Sequence, residues 1–114
     1  MKKVLIVAAL LAISTSAHAF RETPSLDIIA EYGWENTMLL GYVSGYRDAW
    51  ALSQVEIIRA SNGSPDFAKQ VYRCAAEVDA KTLLRAAVVT YGELIIPVAL
   101  QRILDRECWP QITE

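Results

Sequence analysis

The sequence predicts an all-α protein, a small disulfide-bridged helical bundle of four to five helices. Three observations carry this expectation. Apolar residues recur every three to four positions along the chain, and period-2 alternation is absent. Cap and turn residues cut that pattern into helix-sized pieces. Cys74 and Cys108 are the whole cysteine set, and in an exported chain an even pair most simply closes one bridge.

Export is expected from the first residues. Met1-Lys2-Lys3 is a basic start, Val4 to Ile13 is unbroken apolar sequence, and Ala17-His18-Ala19 has the small-x-small form of a cleavage site. Residues 1–19 are therefore predicted to be a cleaved signal peptide, and residues 20–114 a single helical domain. The apolar run is too short to span a bilayer by itself. Removing Lys2 and Lys3 leaves 9 basic residues of the original 11 against 13 acidic, a net charge near −4. The one histidine, His18, leaves with the signal.

The elements follow in order. Thr23-Pro24-Ser25 has the form of a helix start, with a capping hydroxyl and a proline in the first turn. Leu26, Ile28, Ile29 and Tyr32 give that helix its apolar face, and it ends near Gly33. After a break at Trp34 to Asn36, the longest helix is expected from about Thr37 to Ala60. Met38, Tyr42, Tyr46 and Trp50 fall four apart in it, with Leu39, Val43 and Leu52 beside them, a spacing that reads as core. Ser61 to Asp66 is the clearest loop, with Asn62-Gly63 as a turn and Ser64-Pro65 as the next start. A short helix covers Pro65 to Arg73. Asp79 is placed to cap a helix whose face is Leu83, Leu84, Ala87, Val88 and Tyr91, stopped by Gly92. Pro97 opens the last helix, with Val98, Leu100, Ile103 and Leu104 on its face, closing at Cys108-Trp109-Pro110. A Cys74–Cys108 bridge would tie the last two helices at their open end.

Composition excludes several kinds of chemistry. A mature chain without histidine has no Ser-His-Asp or Cys-His nucleophile pair and no His-ligated zinc. Two cysteines cannot build a four-thiolate site, and neither glycine-rich phosphate motif occurs. No cofactor or metal is called for. An acidic chain without a Lys/Arg cluster is a poor nucleic-acid binder, and charges interrupt every later apolar stretch, so no membrane span is expected after signal cleavage. Glu77 with Asp79, and Asp105 with Glu107, are acid/base pairs by residue type only. Each sits near a predicted helix end, where solvated charge is the plainer reading, and no catalytic residue is assigned.

Three features remain as candidates for binding or packing. Gly41, Gly45 and Ala49 form a line of small residues, and helix-interior glycine costs about 1 kcal/mol relative to alanine. That cost points to close backbone approach, inside the domain or at a homodimer seam. Asn62, Ser64 and Asp66 are the candidate partner-binding residues, since loops on a rigid frame concentrate recognition. The turn after Tyr91 is a comparable candidate. Arg47-Asp48 interrupts the most apolar helix, either as a surface stripe or as a pair satisfied beside the Trp34 break.

Leu40-Gly41-Tyr42-Val43-Ser44-Gly45-Tyr46-Arg47-Asp48-Ala49 resembles the signature helix of the Rap/Tai immunity family of type VI secretion. The order that follows is similar too: a loop, Cys74, the Val78-Asp79 start, Leu83-Leu84 with Val88-Val89 and Tyr91, a proline-led helix from Pro97, and Cys108 near Pro110. The resemblance implies a periplasmic immunity protein that binds a cognate secreted toxin, a peptidoglycan amidase, and inhibits it by covering its catalytic groove. Such a protein needs no catalysis of its own. The alternative is a small periplasmic acid-stress chaperone of the Hde type, although those are rich in charge and this chain is 21% charged.

Overall fold

The computed structural model describes residue 20 and residues 22–109, and among these described residues five α-helices are delimited: α1 (Ser25–Tyr32), α2 (Thr37–Ala60), α3 (Pro65–Ala76), α4 (Ala80–Tyr91) and α5 (Ile96–Cys108). The expected signal segment, residues 1–19, and Pro110 lie outside the described residues. The fold is the small disulfide-bridged helical bundle that the sequence predicts.

Local chemistry sets most of the boundaries. Asn36 caps α2 by accepting from the Leu39 N–H at 2.9 Å, Ser64 caps α3 through Phe67 at 3.0 Å, and Asp79 caps α4 through Thr82 at 3.2 Å. Proline stands in the first turn of α3 and of α5, where its missing N–H is not needed. Helix α1 departs from the expected start. Pro24 occupies its N-cap and no side chain caps it. Its free N–H groups are satisfied across the fold instead, Ser25 N–H donating to the Leu94 carbonyl at 2.7 Å and Leu26 N–H to Gly92 at 2.9 Å. The buried Ser25 hydroxyl donates to the Tyr91 carbonyl at 3.2 Å. The start of α1 is thus clipped onto the turn between α4 and α5.

Helix α2 is the spine. Helix α3 folds back along it, the α4–α5 hairpin packs against both, and α1 rests on α4. Ile28, Leu39, Val43, Leu84, Leu100 and Leu104 are among the buried residues at the centre. Four expected core residues are not there: Leu26 is 58% exposed, Tyr32 37%, Met38 54% and Leu52 60%. On α5, Ile96 and Ala99 take the inner positions, and Val98 is half-buried. Helix α3 runs one turn further than expected, to Ala76, and so includes Cys74.

Cys74 and Cys108 form the disulfide, with their Cα atoms 5.6 Å apart. It joins the last turn of α3 to the last residue of α5, closing the hairpin at its open end. Trp109 lies edge-on to Phe67 of α3 beside it, with ring centroids 5.5 Å apart. No helix among the described residues is long and apolar enough to cross a membrane.

Candidate functional site

The loop between α2 and α3 is exposed from Ser61 to Asp66, yet its shape is pinned. Asn62 takes the left-handed region at φ 58°, which asparagine tolerates better than most residues. The Gly63 N–H donates to the Ile58 carbonyl at 2.8 Å. A Cβ on Gly63 would lie 2.5 Å from Cγ2 of Ile58, so the close return of the chain needs glycine. Of the three candidate contact residues, Asn62 and Asp66 are exposed and Ser64 is engaged as a cap. Beside the loop, α2 and α3 enclose a groove of about 380 Å³, with Arg59, Lys69 and Tyr72 on its walls. Sequence reasoning missed Arg59 and Lys69. The short loop was the available signal, since it forces two antiparallel neighbours whose near ends must meet.

The small-residue line does not pack inside the domain. Gly41, Gly45 and Ala49 are exposed, and a Cβ built on either glycine meets nothing within 4 Å. The reason is rotational. These positions share the outward face of α2 with Met38 and Leu52, while Leu39, Val43 and Ala51 point inward. Among the described residues no close approach to either glycine offsets its helix cost.

Arg47 and Asp48 form a pair, at 3.1 Å, but beside the α3–α4 connection rather than the Trp34 break. The Arg47 side chain is mostly buried, and its Nη1 donates to the Val78 carbonyl at 2.7 Å. Arg47 therefore staples the connection onto α2. Arg47→Ala should lower the unfolding free energy by about 1.5–3 kcal/mol, the range for a hydrogen bond from a charged donor. Denaturant melts check this, and a loss under about 0.5 kcal/mol would show that the staple contributes nothing.

The four carboxylates considered for acid/base work are spread out in structural posts. Asp79 is a cap and Glu77 an exposed helix end. Asp105 accepts from the Trp50 indole N–H at 3.1 Å, and Glu107 pairs with Arg106 at 3.1 Å. Tyr46, between Tyr42 and Asp105, has its pKa raised, first by burial and then by the charges of those two neighbours. Among the described residues no group of three or more His, Cys, Asp or Glu side chains could hold a metal ion.

A second surface, which the sequence reading reached only through the turn after Tyr91, runs along α4 and α1. The Arg85 guanidinium stacks over the Trp34 ring, 5.3 Å from its centroid, and Lys81 pairs with Glu35. Val89, 76% exposed, lies one turn further on, and a shallow groove continues past it to Leu26, Asp27 and Glu93. Gly92 permits this arrangement, because a Cβ there would stand 2.7 Å from the Val88 carbonyl and 3.2 Å from Leu26 Cβ. Compared with family models, curated proteins and solved structures, the chain matches none of them.

Proposed function

We propose that the protein is a periplasmic immunity protein that binds a type VI secreted peptidoglycan amidase and blocks it sterically. The family likeness of Leu40 to Ala49 supplies the class of partner. The observation that carries a binding role is the Ser61–Asp66 loop, wholly exposed yet fixed in shape by Asn62, Gly63 and the Ser64 cap. A preformed loop loses little conformational freedom on docking, so more of its contact energy becomes affinity. A disulfide in so small a domain suits an oxidising compartment.

Co-expression with a type VI secreted peptidoglycan amidase, sought first in the neighbouring genes, tests the reading. Cells should survive when the protein carries its signal segment and lyse when that segment is deleted. Survival without export, or lysis despite it, would reject periplasmic immunity and favour the chaperone alternative. Paired Asn62→Ala and Asp66→Ala substitutions should weaken protection; unchanged protection and affinity would move the toxin contact off this loop.

A further inference from the structure

We propose that the groove between α2 and α3 seats a short acidic peptide segment of a partner protein, an apolar side chain within it and carboxylates against Arg59 and Lys69. The proposal goes beyond the immunity reading, because it names the chemistry of the bound segment whichever protein carries it. Two cations and no carboxylate line this groove, in a chain with 13 acidic residues against 11 basic. Val55, Pro65 and Ala68 supply apolar lining, and Tyr72, 41% exposed, stands on the wall. Both cations are available to a ligand. Lys69 is exposed and has no carboxylate partner among the described residues. Arg59 meets Glu56 at 3.8 Å, with the two side chains 73% and 76% exposed. So exposed a pair contributes little, and an incoming carboxylate displaces Glu56 at small cost.

Size and lining set the class of ligand. About 380 Å³ lies near the lower end of the range for ligand sites, roughly 300–1,000 Å³. Two cations are too few to follow a nucleic-acid backbone, where binding grows with the number of phosphates neutralised. The apolar lining, in turn, gives a bare inorganic anion nothing to bury. An extended peptide uses both features, because its residues i, i+2 and i+4 share one face. A segment of the form Asp-x-Leu-x-Glu therefore turns its leucine inward between two carboxylates. The groove is also shaped before anything binds. The Gly63 N–H donates to the Ile58 carbonyl at 2.8 Å and Ser64 caps α3 at 3.0 Å, fixing the turn that joins its two walls. Docking then costs little ordering on this side. Glu56 and Asp66, exposed and outside the lining, repel further carboxylates and keep the segment short.

Fluorescence anisotropy of the oxidised protein with dye-labelled heptapeptides, x-Asp-x-Leu-x-Glu-x with x glycine, serine or alanine, tests the proposal. The acidic pool should bind saturably, about ten-fold more tightly than the same pool with asparagine and glutamine in place of the acids. A pool with glycine for leucine should also bind more weakly. Arg59→Glu and Lys69→Glu should each weaken the acidic pool by about ten-fold or more, and Glu56→Gln should tighten it by freeing Arg59. Affinity should fall as salt rises, since both cations are exposed. Circular dichroism and a thiol count would verify that each variant is folded and bridged; all three positions are exposed. No saturable binding, equal affinity for the amide pool, or indifference to Arg59→Glu/Lys69→Glu would overturn the proposal. Binding to vesicles of equal phosphatidylglycerol and phosphatidylcholine with the peptides inert would overturn it too, and assign the cations to a lipid surface. The probe is a peptide and not the toxin, so a failed co-expression test and a failed peptide test are told apart.

Discussion

Replacing Cys74 and Cys108 with alanine should destabilise the protein by about 3–4 kcal/mol, the chain-entropy value for a loop of this length. The two cysteines are 34 positions apart, so their bridge restricts the unfolded chain across α4, α5 and both connections. The folded state has fewer alternatives at this place. Helix α5 is anchored elsewhere by Ile103 and Leu104, and Trp109 keeps its edge-on contact with Phe67. For a domain of this size the loss corresponds to a fall in Tm of more than about 10 °C. Alanine is the right replacement, because Cys108 is buried and a serine hydroxyl there would add an unrelated penalty. Thermal melts of the double variant and of the wild type under reductant should agree with each other, both below the oxidised wild type. A shift of only one or two degrees would mean that packing of α5 on α3 already supplies the constraint.

Much of the fold was legible because its signals are local. The limits of α2, the Ser64 and Asp79 caps and the leading prolines depend on residues within four positions of each other. The aromatic row shows where local reading fails. A step of four residues turns about 400° around a helix, so a row at that spacing drifts by about 40° each time. From Met38 through Tyr42 and Tyr46 to Trp50 the row rotates from solvent, through two half-buried tyrosines, into the core. Spacing of four looked like a face and is a spiral. Leu52 returns to the Met38 side and is exposed with it.

The sites were less legible, for a different reason. Arg85 meets Trp34, and Arg47 meets Val78, across stretches of chain that no periodicity links. Either arginine, seen in the sequence, is one charge on a helix. Its role comes from the helix packed beside it. The small-residue line was noticed correctly as a cost, but its direction depends on which side of α2 the other helices cover.

Phe20→Ala should cost about 3–5 kcal/mol, the range for truncating a buried aromatic ring. This residue lies immediately after the expected cleavage site, where a chain end is ordinarily loose. In the structure it is 2% exposed, with its ring edge-on to Tyr32 of α1 at 5.7 Å and to Tyr42 of α2 at 5.5 Å. Both distances suit the favourable T-shaped geometry between aromatic rings. Phe20 therefore joins the short α1 to the spine, and removing its ring leaves Tyr32 and Tyr42 facing a cavity. Phe20→Leu keeps most of the apolar area and loses the ring-edge contacts, so its cost should be well under that of alanine. Denaturant melts of the two variants separate the contributions. Two results would detach this residue from the cooperative core. One is an alanine variant within about 1 kcal/mol of wild type; the other is a leucine variant no better than alanine.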